Sequence, residues 1–120
     1  MIEHVGIYVN DLGASVAFYQ EALVAIGFAL CTRDEGSAGF GAPGAPRFWL
    51  SATDAAPTAR AHICFSAPDR GSVAKFHQAG QRAGGRDNGG PGLRPDYGPT
   101  YYAAYLFDPD GNNVEALCDR

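Results

Sequence analysis

The sequence predicts an α+β fold, in which two βαβββ modules form a curved, barrel-like mixed sheet around one site. Three observations predict it: an internal repeat, strands whose two faces differ in polarity, and one capped helix in each repeat. Moving the chain by 58 residues (62 minus 4) lays His4 on His62, Asp11 on Asp69, Gly13 on Gly71 and Phe18 on Phe76. The same offset lays Gln20 on Gln78, Ala25 on Ala83 and Gly27 on Gly85, with no gap between His4 and Phe28. Self-similarity at a fixed offset is the mark of a duplicated supersecondary unit. The chain of 120 residues therefore reads as a single domain over 1–120, with module 1 at about 1–55 and module 2 at about 61–120.

Each module opens with a strand. Val5, Ile7 and Val9 alternate with His4, Gly6 and Tyr8, while Ile63, Phe65 and Ala67 alternate with His62, Cys64 and Ser66. Successive side chains on a strand point to opposite faces, so one face is apolar and wants a helix over it. The other face carries the histidines and is free to line a site. A helix follows. Asp11 caps a segment from about Gly13 to Ala25, with Val16, Tyr19, Leu23 and Ile26 at helical spacing and Gly27 as its stop. In the second half Asp69 or Ser72 caps a helix that turns Val73, Phe76 and Ala83 inward, and Gly84-Gly85 stops it.

The remaining strands are expected at Phe28–Arg33, Gly39–Phe40, Arg47–Ala52, Tyr101–Phe107 and Asn113–Cys118. Asp108-Pro109-Asp110-Gly111 is a strong turn signal and joins the last two as a hairpin. The Ala-, Thr- and Pro-rich stretch from Ser51 to Ala61 reads as the linker between modules. Gly89 to Pro99 reads as a long Gly/Pro loop, a kind of segment that is often functional in a compact domain. His77 falls on a helix and reads as a surface residue.

Composition excludes several classes. The net charge is −4, with no basic cluster to neutralise a run of phosphates, so no nucleic-acid partner is expected. No apolar stretch approaches the ~20 residues of a membrane span, and no membrane partner is expected. The N-terminus lacks the pattern of a secretory signal, and the three cysteines form no C-x-x-C pair, so a cytoplasmic location is expected. Cys31, Cys64 and Cys118 read as small buried hydrophobes.

His4 and His62 stand at equivalent places in the two halves, and Glu115 follows the Asp108-Pro109-Asp110-Gly111-Asn112 turn by three residues. In these features the whole chain resembles the vicinal oxygen chelate superfamily. That group includes glyoxalase I, the extradiol dioxygenases, the fosfomycin-inactivating enzymes and the bleomycin-binding resistance proteins. The resemblance implies one divalent metal ion (Fe, Mn, Zn or Ni) on His4, His62 and Glu115. Two imidazoles and a carboxylate are a common donor set for such an ion, and three protein ligands leave positions open for substrate or water.

The implied function is a metal-dependent enzyme of glyoxalase or dioxygenase type, a lyase, isomerase or dioxygenase. Its small-molecule substrate would chelate the metal through neighbouring oxygens. The alternative is a binding or sequestering protein of the drug-resistance type, without catalysis. Tyr101 and Tyr105 share the face expected to point to the metal and are candidate catalytic residues, able to hydrogen-bond a substrate oxygen; Tyr102 reads more as packing. Glyoxalase I adds a fourth ligand, a glutamate, on the last strand of its first module. Here that strand reads Arg47-Phe48-Trp49-Leu50-Ser51, and Ser51 or Trp49 takes the glutamate's place. Weak glyoxalase I activity is therefore expected. The small relatives further imply a homodimer with shared sites, His4 from one subunit and His62 and Glu115 from the other.

Overall fold

Both helices form where the capping and periodicity place them. A computed structural model describes all 120 residues. Module 1 comprises β1 (Val5–Val9), α1 (Leu12–Val24), β2 (Ala29–Arg33), β3 (Ser37–Ala42) and β4 (Ala45–Ala52). Module 2 comprises β5 (His62–Ser66), α2 (Arg70–Arg82), β6 (Arg86–Leu93), β7 (Tyr101–Phe107) and β8 (Asn113–Asp119). The Asp11 carboxylate accepts from the Ala14 amide at 3.0 Å, and Asp69 accepts from the Ser72 amide at 2.7 Å. Each carboxylate thus satisfies one of the amides that a helix start leaves without a partner. Of the two candidates for the second cap, Asp69 is the one used. Neither helix is long and apolar enough to cross a membrane.

The two modules have the same topology. One sheet runs β1-β4-β3-β2 and the other β5-β8-β7-β6, with the first pair parallel and the rest antiparallel in each. The fold is α+β, with two βαβββ modules as expected. The two sheets are separate and do not close into a barrel. β3 runs two residues beyond both expected ends, β4 starts two residues earlier, β8 ends one residue later and β2 starts one residue later, while the other ends agree. The larger departure is β6. Its sequence, Arg86 to Leu93, lies largely in the stretch expected to be loop, yet it pairs with β7 through two register shifts, at Asp87/Gly89 and Gly89/Gly92. Bulges of this kind let a Gly/Pro-rich segment hold a strand position without regular alternation. Only Arg94 to Pro99 of the expected loop remains outside strand.

The apolar faces meet in one core. A single cluster takes Val9, Phe40, Phe48 and Leu50 from the first sheet and Leu106, Val114 and Ala116 from the second, together with Tyr19, Leu23 and Phe76 from the helices. Across the module boundary, Phe48 and Phe65 pack edge to face at 5.2 Å between centroids. The helix-bearing sides of both sheets therefore share one interior, and the opposite sides stay open.

α1 and α2 approach closely because small residues line their contact. A Cβ on Gly85 would meet Phe18 Cε1 at 2.3 Å and the carbonyl oxygen of Gly80 at 2.8 Å. The ring can swing aside, but the carbonyl belongs to the last turn of α2 and has no freedom to retreat. Gly85→Ala is expected to destabilise the chain by about 1–3 kcal/mol through overpacking. The check is a urea midpoint that falls while the slope of the transition stays unchanged.

A second link between modules is polar. The Tyr19 hydroxyl of α1 donates to Asp108 Oδ2 at 2.6 Å. Asp108, 1% exposed, also accepts from the Asp110 and Asn112 amides and from Asn112 Nδ2. The turn that sequence reading finds in Asp108 to Gly111 is thus anchored to the first module's helix. Burial and the adjacent Asp108 raise the Tyr19 phenol well above its usual pKa, so it remains a donor.

Candidate functional site

The open face of the second sheet collects the residues of chemical interest. On β8, Val114, Ala116 and Cys118 face the core, so Glu115 falls on the opposite side. Its strand neighbours in register are Cys64 on β5 and Tyr105 on β7. The carboxylate is bridged: Oε1 lies 2.9 Å from His62 Nε2, and Oε2 accepts from the Tyr101 hydroxyl at 2.6 Å. Glu115 is 2% exposed, whereas the His62 side chain is 55% exposed. Neither lysine nor arginine pairs with the carboxylate. A buried carboxylate without a permanent cation is costly unless further compensation arrives.

The groups around it are held neutral. Loss of hydration and the Glu115 carboxylate push the Tyr105 phenol up to about 12. The same two causes push the Cys64 thiol up to about 12. The hydrogen bond to Glu115 and, after it, burial raise the Tyr101 phenol further. At neutral pH both phenols are donors, and Cys64 is a thiol rather than a nucleophilic thiolate. Sequence reading finds Tyr101, Tyr105, His62 and Glu115, and the structure brings all four to one face. It misses Cys64, whose position opposite Glu115 follows only from the strand register.

His4 stands elsewhere. It precedes β1, and its Nδ1 lies 2.6 Å from Glu3 Oε1, while Arg47 pairs with the other oxygen of Glu3. These residues lie at one end of an apolar cleft of about 350 Å³ between the modules, whose walls include Phe28, Phe48, Ile63 and Phe65. Neither His62 nor Glu115 lines it. No three His, Cys, Asp or Glu side chains of one chain are grouped to hold a metal ion. The expected trio is therefore split, with two members together and His4 apart.

Register also decides between the two candidates for the missing fourth position. Gly6, the counterpart of Cys64, pairs with Trp49, as Cys64 pairs with Glu115. Trp49 is therefore the counterpart of Glu115, and Ser51 lies two residues further along. On the neighbouring strand Gly39 takes the place that Tyr105 has in module 2. A Cβ there would meet the indole at 2.8 Å, so glycine makes room for Trp49 to lie flat across β3.

Other expected roles change. His77 is not a free surface residue: its side chain is 12% exposed and its Nε2 lies 2.8 Å from Asp87 Oδ1. Of the cysteines only Cys118 is buried; Cys64 is exposed and Cys31 intermediate. The reason is position, since Cys64 lies on the open face and Cys31 on the edge strand β2. Tyr102 packs against the core with the Arg70 guanidinium 5.1 Å from its ring centroid, which agrees with a packing role.

The donor chemistry fits a divalent ion. His62 Nε2 and Glu115 Oε1 meet at hydrogen-bond distance, 2.9 Å, which brings an imidazole nitrogen and a carboxylate oxygen to one point of the open face. An imidazole nitrogen and a carboxylate oxygen suit zinc, iron, manganese or nickel.

Comparison with known proteins bears on the family and the fold. Residues 1–116 match the family model described as Glyoxalase/Bleomycin resistance protein/Dioxygenase superfamily. The fold is similar to a glyoxalase/bleomycin resistance protein from Albidiferax ferrireducens, with a TM-score of 0.81 and 31% identity over 96% of this chain and 95% of that one. It is also similar to a glyoxalase I variant from Zea mays, with a TM-score of 0.72 and 26% identity over 97% of this chain and 45% of that one. A glyoxalase/bleomycin resistance protein/dioxygenase family enzyme from Burkholderia phytofirmans has the same fold, with a TM-score of 0.74 and 20% identity over 99% of this chain and 98% of that one. No curated protein matches the chain.

Proposed function

Because the chain belongs to the glyoxalase/bleomycin resistance protein/dioxygenase superfamily, we propose that it is a metal-dependent enzyme of glyoxalase or dioxygenase type. Its substrate is a small molecule that presents two neighbouring oxygens to a divalent ion. The observation that carries this reading is the buried Glu115 carboxylate, bridged by His62 and Tyr101 on an open face and ion-paired with no lysine or arginine. His62 Nε2 and Glu115 Oε1 would hold the ion together with His4. The ion would act there as a Lewis acid toward the substrate oxygens.

The third donor is proposed to come from a partner. Within one chain His4 does not reach the Glu115 face, and the open sides of both sheets lack a cover. A two-fold homodimer that lays module 1 of one protomer over module 2 of the other supplies His4 twice and forms two equal sites. Tyr105, held neutral and with its hydroxyl proton uncommitted, donates a hydrogen bond to a substrate oxygen as charge builds on it. Tyr101 spends its one hydroxyl proton on Glu115 Oε2 and so fixes the direction of that carboxylate, while its oxygen can still accept from the substrate. Trp49, at the position where a fourth carboxylate would complete a glyoxalase I set, offers no ligand atom. Robust methylglyoxal–glutathione isomerisation is therefore not expected.

The test is reconstitution. Metal-free protein is loaded with zinc, nickel, manganese or iron(II), and metal content is measured after removal of excess. The expected result is one ion per chain, at 2.0–2.3 Å from His62, Glu115 and His4 by X-ray absorption and crystallography. No binding under excess of all four metals overturns the reading. Trp49→Glu adds the missing carboxylate and is expected to tighten zinc or nickel binding.

A further inference from the structure

Arg94 stands out among the cations near the site. It belongs to none of the chain's ion pairs, yet it is held in place. Its Nη1 donates to the Gly92 carbonyl at 2.9 Å and its Nη2 to the Gly90 carbonyl at 2.7 Å. The guanidinium carbon lies 5.3 Å from the centroid of the Tyr105 ring. Its own backbone is pinned as well, since the Arg94 amide donates to the Tyr101 carbonyl at 2.8 Å. The irregularity of β6 makes this possible. Gly89 has φ of +146°, and a Cβ there would lie 3.1 Å from Tyr105 Cδ1 and 3.2 Å from Arg94 Nη2. Glycine lets the bulged strand come close enough for its carbonyls to grip the guanidinium. The turn that follows carries Tyr97, whose ring packs edge to face on Tyr101 at 5.3 Å.

The result is a fixed positive charge on the wall of the Glu115 face, backed by an aromatic ring. A guanidinium has five N–H donors in a rigid fork, and the two carbonyls use two of them. The remaining donors have no protein acceptor. Pre-positioning removes the ordering cost that a free arginine would meet on binding.

We infer that Arg94 is a specificity-determining residue that binds an anionic oxygen group, a carboxylate or phosphonate, on the substrate of this site. The inference rests on the Glu115 face being the active face, and it names the substrate class that the metal reading leaves open: a small acid whose anionic end sits on Arg94 while its neighbouring oxygens face His62 and Glu115. Tyr97 and Tyr101 flank the same wall and favour a substrate with a flat or apolar middle.

The experiment is a nuclear magnetic resonance titration of the labelled, metal-free full chain with methylphosphonate and, separately, acetate. The reporters are the Arg94 Nε–Hε signal and the Tyr105 ring. At least one anion is expected to give saturable shifts of both reporters with one Kd, and the tighter of the two identifies the anionic group. The uncharged acetamide and dimethyl methylphosphonate are expected to give none. Arg94→Gln is expected to weaken binding by about tenfold or more, and Arg94→Lys by less, because an ammonium keeps the charge and loses the fork. A residue that only braced β6 would leave the wild-type Arg94 signal unmoved by anions. Absence of saturable shifts at Arg94 with both anions, or unchanged affinity in a folded Arg94→Gln, overturns the inference. Metal content is measured on the same samples. Anion binding without metal binding keeps this inference and removes the metal reading, and the reverse outcome removes this inference alone.

Discussion

Replacing Glu115 with glutamine is expected to abolish metal binding while leaving the chain folded. Glutamine has the same shape, and its carbonyl oxygen can still accept from Tyr101. The anionic oxygen beside His62 Nε2 is gone, however. Loss of a group that merely supports a ligand already costs 10–100-fold in affinity, and loss of the ligand itself is expected to cost more than about a hundredfold. The urea midpoint should change little or rise, because a buried charge is removed. The same variant tests the shared arrangement. A chain carrying His4→Ala is mixed with a chain carrying Glu115→Gln, and the heterodimer is isolated. If each site takes His4 from one protomer and the pair from the other, one of the two sites is intact and the other doubly damaged. The heterodimer then binds one ion, whereas each parent homodimer binds none. If sites form inside single chains, the heterodimer also binds none, and the shared arrangement fails while the metal stands.

Asp108→Ala is expected to be the most destabilising single change in the chain. It takes the acceptor away from the Tyr19 hydroxyl, the Asp110 and Asn112 amides and the Asn112 side chain at once. Each buried donor left without a partner costs about 1–3 kcal/mol, and removing the anchor of such a network costs about 3–5 kcal/mol. Tyr19→Phe removes one donor and leaves the turn intact, so about 1–2 kcal/mol is expected. Because the hydroxyl and the carboxylate act on each other, the two losses should not add. Urea denaturation of both variants and the double variant measures that coupling. A loss below about 1 kcal/mol for Asp108→Ala would show that water replaces the carboxylate and that the turn is not anchored as described.

Much of this molecule was legible because its elements are local. The caps at Asp11 and Asp69, the apolar spacing on α1 and the turn at Asp108 each act within a few residues, and each was readable there. The Glu115 face was legible through the repeat, which puts His62 and the strand carrying Glu115 in one module. β6 was not legible. Arg86 to Leu93 has no period-two alternation and carries glycine and proline, and it is a strand only because β7 offers it partners. The role of Arg94 was hidden for the same reason, since the carbonyls that hold it are positioned by that irregular pairing. The choice of Trp49 over Ser51 needed the register of β1 against β4, which no single segment contains. The separation of His4 from His62 within one chain was expected only through the resemblance to small dimeric relatives, because it depends on how the two modules pack and equivalence within a repeat says nothing about that.

Along β8 every second residue serves the interior: Val114, Ala116 and Cys118. The residues between them, Asn113, Glu115 and Leu117, carry little of that duty. The same alternation holds on β4, where Phe48 and Leu50 are buried and Trp49 lies between them. Such a strand is two independent texts written on one line. Substitutions on the outer positions can exchange a carboxylate for an indole, or the reverse, with the interior left as it was. The two halves of this chain already differ in that way at Trp49 and Glu115. A designer or a lineage can therefore rewrite the chemistry of this scaffold on its outer face, changing cross-strand partners such as Trp49 and Gly39 together, without first solving the folding problem again.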